Sequence, residues 1–288
     1  MFSIIGIVVV IGAVIGGFLM EKGQLLVLVQ PAELVTIGGA ALGTLLAANP
    51  IYILKDLGKG LIGIVSGSPY TRQRYLETLK MMFDLFTKAR KEGFIAIEAD
   101  IEGADKSPIF SQYPKFLKDH HVCDFVCDTM RMAITGGVQA FDVDQMMELD
   151  MDVHHHTAAQ PTGALTTVAD ALPGLGIVAA VLGIVVTMGA LGGPPEEIGH
   201  KVAAALVGTF LGILMCYGVL GPLASMMGKR NEEEHAYYGI LRVVMLAFIK
   251  GTSPILAVEL ARRAIPAHNR PSFAELEKAC RSKAEAGA

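Results

Sequence analysis

Residues 169–193 read ADALPGLGIVAAVLGIVVTMGALGG, and residues 201–227 read KVAAALVGTFLGILMCYGVLGPLASMM. Each is an apolar run of about 20 residues, enough to cross a ~30 Å hydrocarbon core at ~1.5 Å per residue. The link Pro194-Pro195-Glu196-Glu197 leaves room only for a tight turn, so residues 170–227 predict an antiparallel transmembrane hairpin with spans of about 172–193 and 202–227. Gly208 and Gly212 stand in GxxxG spacing, which lets helices approach closely in lipid. Pro173 and Pro222 mark the far ends of the hairpin, and Thr209 puts a hydroxyl inside the second arm.

Upstream, residues 4–20 form another apolar run, with Gly12 and Gly16 in the same spacing. A basic n-region and an A-x-A site are both missing, so the run reads as a retained span and not a signal peptide. A second run covers 34–54, with Gly39 and Gly43 on it, and Asn49-Pro50 is expected to break or kink its end. Residues 1–54 are therefore a first helix pair. Composition agrees: 52% of the 288 residues are hydrophobic and 18% charged, against about 25% charged in soluble domains, and the mean hydropathy is +0.48. A net charge of −4 gives no reason to expect a nucleic-acid partner. The four cysteines are scattered, with Cys216 in a span, which argues against a disulfide framework.

Lysines and arginines set the orientation. Lys55, Lys59, Arg72 and Arg74 follow the second span, and Lys229, Arg230 and Arg242 follow the fourth. The two short links carry Lys22 and Lys201, offset by Glu21, Glu33, Glu196 and Glu197. The positive-inside rule then puts both termini, the 55–169 insertion and the 228–288 tail in the cytoplasm. The fold class is an all-α integral membrane protein: four transmembrane helices in two pairs, a large helical cytoplasmic insertion and a cytoplasmic tail.

In the insertion, Tyr75, Leu79, Met82 and Phe86 recur at helical spacing with charges off the stripe, and Gly93 can end that helix. Residues 116–132 and 141–156 predict further helices, with Thr135 or Asp142 as caps, and 236–249 predicts one in the tail. His154-His155-His156 point about 100° apart on a helix, so they cannot face one ion and read as a solvated face. His120, His121, Cys123 and Cys127 lack a second pair at zinc spacing and read as ordinary packing. No P-loop, GxSxG or dinucleotide fingerprint occurs, so an enzyme is not expected.

Inside the spans, apart from their ends, no Asp, Glu, Lys, Arg or His is expected, and Asp170 sits at the entry of the third. Proton and ion paths need an intramembrane ionisable group, so a carboxylate for such a path would come from another polypeptide. Thr209 and Thr187 could line it, although a back-bond to the same helix is the commoner fate of an intramembrane threonine.

With these features in order, the chain resembles the MotA family of flagellar motor stator subunits. The segments that carry the resemblance are QPAELVTIGGAALG at 30–43, ARKEGFIAIEADIE at 89–102, the hairpin itself, and RPSFAELE at 270–277, so it covers nearly the whole chain. The resemblance implies a homopentameric ring around a MotB dimer in the bacterial inner membrane, with no cofactor and protons as the transported ion. MotB would supply the essential aspartate and hold the complex to peptidoglycan. Pro173 and Pro222 match prolines that couple protonation to helix movement, Thr209 a channel-facing hydroxyl, and Asp170 an acid at the cytoplasmic mouth. Arg90 and Glu98 match the charged pair that engages FliG of the rotor. Sodium-driven relatives carry two adjacent threonines where Thr209 is flanked by Gly208 and Phe210, which favours protons. The alternatives are a sodium-driven stator, an energy transmitter like ExbB or TolQ, and a passive membrane scaffold.

Overall fold

In a computed structural model, residues 2–189 and 191–281 are described, and among them the chain is helical with no strand. Two compact units emerge: one of Met1–Gly67 with Ala158–Arg230, the other of Ser68–Thr157 with Asn231–Ala288.

The first unit holds α1 (Phe2–Met20), α2 (Leu25–Leu28), α3 (Pro31–Ala48) and α4 (Ile51–Ser66). Pro31 opens α3 at the first helical position, where its missing N–H costs nothing. As expected, the chain breaks at Asn49-Pro50: Asn49 is extended and donates its side-chain N–H to Leu45 O at 2.9 Å, and α4 begins afresh at Ile51. The apolar segment thus runs Leu25–Ala48, where 34–54 was expected. Beyond the break, α4 is amphipathic, burying Ile53, Leu57 and Ile64 while Lys55 and Lys59 lie on other faces.

Two long helices follow. The helix α9 (Ala140–Met188) carries Pro161 and Pro173 in its interior; α10 (Pro195–Leu214) passes through a π-turn, Met215–Leu220, into α11 (Gly221–Ile249). At ~1.5 Å per residue each of these runs exceeds a ~30 Å hydrocarbon core, so only the apolar parts of α9 and of the α10–α11 run cross the membrane. Helices α9 and α11 continue unbroken through 169/170 and 227/228, and the compact units divide at Thr157/Ala158 and Arg230/Asn231. Ile177, Val178, Val181, Leu182, Val185 and Leu206 are exposed, the surface that lipid requires. Four apolar helices of spanning length make the chain a multi-pass membrane protein.

The second unit adds α5 (Arg72–Glu92), α6 (Glu98–Glu102), α7 (Pro114–Leu117), α8 (His120–Thr135), α12 (Pro254–Ala264) and α13 (Phe273–Arg281) to the ends of α9 and α11. Thr71 caps α5 by accepting from the Arg74 N–H at 3.3 Å, and Gly93 ends it with φ of 92°. The predicted stripe Tyr75, Leu79, Met82 and Phe86 is fully buried, packed with Val122, Val126, Met130, Tyr237, Leu241 and Phe248. Phe86 stacks on Phe248 with centroids 4.0 Å apart. Several buried polar groups pair around this core, while the Tyr238 hydroxyl is buried without a hydrogen-bond partner. Arg74 donates to Lys115 O at 2.8 Å and pairs with Asp119 at 3.2 Å, and the Tyr237 and Thr78 hydroxyls meet at 2.6 Å. Burial pushes the Asp119 carboxyl above its usual range against the pull of Arg74. The two expected caps are not caps: Thr135 is the last residue of α8 and donates to Arg131 O at 2.9 Å, and Asp142 lies inside the first turn of α9.

Candidate functional site

The hairpin is held backbone to backbone. A Cβ built on Gly212 would lie 2.5 Å from the Leu172 carbonyl oxygen, and one on Gly176 would lie 2.8 Å from the Gly208 carbonyl oxygen. A Cβ on Gly183 would strike Ala205 at 2.7 Å. Pairing 172 with 212, 176 with 208 and 183 with 205 descends one arm while climbing the other, which is the antiparallel arrangement the sequence predicts. The GxxxG pair on α10 is therefore a packed interface within the chain. By contrast, Cβ atoms on Gly12, Gly16, Gly39 or Gly43 would meet nothing within 4 Å.

Thr209 sits half-buried where the arms are closest, its Cα 3.3 Å from the Cβ position of Gly176. The Thr187 hydroxyl donates to Gly183 O at 2.8 Å, the back-bond expected of an intramembrane threonine. The Thr209 hydroxyl forms no hydrogen bond among the described residues. Asp170 is exposed, and Pro173, half-buried, lies three residues on, about one turn along the same helix.

Pro222 is exposed in the first turn of α11, directly after the π-turn. A proline inside a helix removes one i→i−4 bond and its ring clashes with the preceding turn. Here the Gly221 N–H donates to Cys216 O, five residues back; widening the turn by one residue relieves that clash without ending the helix. A Cβ on Gly221 would lie 2.8 Å from the same oxygen, so glycine suits this turn. Pro173 has no such turn around it, since α9 is assigned as continuous α-helix.

Sequence reasoning missed one residue here. Glu33, counted in the first link, lies in the first turn of α3 and is 8% exposed. Its Oε2 has no hydrogen-bond partner. A Cβ on Gly208 would lie 2.6 Å from that oxygen, and one on Gly183 would lie 3.6 Å from Oε1. The expectation that the spans lack an acid apart from their ends allows for Glu33, but its reading as a link residue is corrected: α3 starts at Pro31, which folds Glu33 into the contact with the hairpin. A signal was present, because Glu33, Ile37 and Ala41 are the buried residues of α3 and recur every four positions.

In the other unit, Arg90 and Glu98 are both exposed, on either side of the Gly93 corner. Arg90 lies in the last turn of α5 and donates to Gly251 O at 3.3 Å, while Glu98 opens α6. Between them Ile95 is 76% exposed. Their neighbours are fixed: Lys88 pairs with buried Asp100 at 2.7 Å, and the Ser107 hydroxyl donates to the other Asp100 oxygen at 2.5 Å.

No group of residues suited to a metal occurs among the described residues. Cys123 and Cys127 are buried free thiols with sulfurs 4.0 Å apart. The reading of 154–156 as a solvated face holds only for His156, which is exposed. His154 hydrogen-bonds Glu234 at 3.0 Å and packs on Tyr238, and His155 lies 3.6 Å from Glu232 and against His235.

Two family models match: Motility protein A N-terminal over residues 4–93, and the MotA/TolQ/ExbB proton channel family over residues 118–239. Motility protein A of Salmonella typhimurium is 37% identical over 98% of this chain and 96% of its own length. Motility protein A of Escherichia coli is 38% identical over the same shares. The chemotaxis protein LafT of Vibrio parahaemolyticus is 33% identical over 96% of this chain and 98% of its own. Among solved structures, C. jejuni MotAB aligns with a TM-score of 0.77 at 16% identity, over 94% of this chain and 98% of that one. The flagellar MotAB stator complex of Bacillus subtilis aligns with a TM-score of 0.73 at 23% identity, over 93% and 96%. These two likenesses share the helical fold described above. Glycine-packed hairpin, broken second helix and helical insertion all lie within the matched lengths, and the chain belongs to the Motility protein A family of the MotA/TolQ/ExbB proton channel proteins.

Proposed function

We propose that this chain is the ring-forming stator subunit of a flagellar motor, not an enzyme, which with a MotB dimer passes protons across the bacterial inner membrane and turns that flow into torque. The observation that carries this reading is the α9–α10 crossing, where bare backbones meet and Thr209 keeps an uncommitted hydroxyl. Five copies would enclose the partner's helices, both termini would be cytoplasmic, and the partner's aspartate would carry the proton. One elementary charge crossing 100 mV releases about 2.3 kcal/mol, enough to reset a contact between two helices.

Pro173 and Pro222 interrupt the backbone bonding of α9 and α11 and would serve as points of bending when the aspartate changes charge. Asp170, exposed one turn before Pro173, would receive the proton on the cytoplasmic side. No cofactor is required. Arg90 and Glu98, exposed and without a salt bridge among the described residues, would meet opposite charges on FliG. Such contacts are worth only ~0–1 kcal/mol each and weaken with salt, as a motor that releases after each step needs.

Cytoplasmic acidification tests the channel. Cells express the chain with a plug-deleted MotB-type partner, against controls lacking the partner or its aspartate, or with potassium exchanged for sodium. Acidification that needs the aspartate and ignores sodium is expected; sodium-dependent flux would overturn the choice of ion, and a stable complex without flux would favour the scaffold. Reversing both Arg90 and Glu98 is expected to abolish swimming while complex yield stays unchanged, and normal swimming would count against the rotor assignment.

A further inference from the structure

The buried acid Glu33 stands apart from Asp170, Pro173, Thr209 and Pro222. It lines a cleft of about 240 Å³ together with Gln30, Thr36, Gly183, Lys201 and Ala205. That volume is well above the ~10–15 Å³ one water needs. The polar groups at its rim are largely occupied: Gln30 donates to Val27 O at 3.0 Å, Thr36 to Ala32 O at 2.9 Å, and Lys201 pairs with Glu197 at 3.0 Å. The Glu33 carboxylate is the exception, since its inner oxygen Oε2 accepts nothing from the protein. That oxygen rests on the backbone of Gly208, the residue before Thr209, and only the missing Cβ at 208 leaves room for it.

We infer that Glu33 is a proton-loading site at the link end of the pathway, taking protons from water in the cleft and passing them toward Thr209 and the partner's aspartate. A buried carboxylate without a protein donor is costly unless a proton or cation joins it, and a group held that way only in transit suits a relay. The step balances simply: Oε2 accepts one proton from a hydronium in the cleft, and the same proton later leaves for the next acceptor. A purely structural role would need a partner for Oε2, and the protein supplies none. The inference rests on the channel reading given above.

The test uses the full chain with a plug-deleted MotB-type partner in liposomes, reading proton entry with a pH dye. Glu33→Gln keeps the shape and removes the exchangeable acid; Glu33→Asp keeps the acid. At equal complex yield, E33Q is expected to slow entry by roughly tenfold or more and to flatten its dependence on link-side pH, with E33D restoring the pH response. Entry in E33Q at the wild-type rate and pH profile would overturn the inference. If E33Q fails to assemble, the E33D profile decides: a displaced pH midpoint supports the relay and an identical one refutes it. If the wild type passes no protons that depend on the partner's aspartate, the channel reading itself falls. Infrared difference spectra of wild type minus E33Q then judge Glu33 alone: a carboxyl band that comes and goes with pH supports a proton site, and its absence removes one.

Discussion

Asp100 and Glu33 are both buried carboxylates, 2% and 8% exposed, and their surroundings differ in kind. Asp100, in the helical unit, has Lys88 on one oxygen at 2.7 Å and the Ser107 hydroxyl on the other at 2.5 Å. Ser107 in turn accepts from the Ile109 and Phe110 N–H groups, so the network is closed. Glu33, in the membrane unit, faces glycine backbone and has an empty lone-pair side. Packing follows the same division. The helical unit fills its interior with Phe86, Met82, Tyr237 and Leu241, while the membrane unit brings backbones together through Gly176, Gly208 and Gly212. A soluble core gains from excluding water from large side chains, whereas helices already in lipid gain only from close contact. Of the two acids, Asp100 has both oxygens committed and Glu33 keeps one uncommitted.

The largest effect should come from breaking the close crossing. In Gly212→Val a Cβ would fall 2.5 Å from a backbone oxygen, which no side-chain rotation relieves, and a loss of at least ~3 kcal/mol is expected. The buried cysteines give a readout for each unit: Cys216 for the membrane unit, and Cys123, Cys127 and Cys280 for the helical one. Gly212→Val should expose Cys216 to a thiol dye well below the wild-type melting temperature. Gly39→Ala, where a Cβ meets nothing within 4 Å, should leave that midpoint of the isolated chain where it was. Equal sensitivity of the two glycines would erase the distinction between packed and open faces.

The two acids give the next comparison. Asp100→Ala removes an ion pair and strands the Ser107 hydroxyl, at a cost of about 2–3 kcal/mol, so labelling of the helical-unit cysteines should begin roughly 5–10 °C lower. Glu33→Gln removes no protein hydrogen bond and should move the Cys216 midpoint by less than about 1 kcal/mol equivalent. A Glu33 effect as large as that of Asp100 would mean its carboxylate has a structural partner after all.

Most of the architecture could be read from the chain because hydrophobic periodicity carries it. The hairpin, the Tyr75–Phe86 stripe and the break at Asn49-Pro50 are each dictated by residues next to one another. What escaped depends on longer reach. Glu33 looks like a link residue until α3 begins at Pro31, and only then does its four-residue spacing to Ile37 and Ala41 turn it inward. The His154–Glu234 and His155–Glu232 contacts join positions about 80 residues apart, and no local pattern encodes them. Helices α9 and α11 run on past the apolar segments because propensity continues where hydropathy stops. Pro173, Thr209 and Pro222 could be singled out on the spans, but the π-turn that relieves Pro222 is a backbone response that no residue pattern announces.

The smallest effect concerns an acid paired within its own helix. Glu259 on α12 accepts from Arg262 at 2.7 Å and from Arg263 at 3.0 Å, and these hydrogen bonds, Arg262 first, hold its carboxyl below the usual 4.5. Because the folded value is depressed, the stabilisation is fully present above pH 4.5 and is lost as pH falls through the folded value. Arg263 is 72% exposed, so water and salt screen much of the interaction. Glu259→Gln should therefore lower the helical-unit midpoint by only about 1–2 °C at neutral pH, less in high salt, and the difference from wild type should shrink away as pH falls through the folded value. A difference that persists undiminished in acid would trace to packing of the α12 side chain, and would place Glu259 with the closed network of Asp100 instead of with the solvated charges around it.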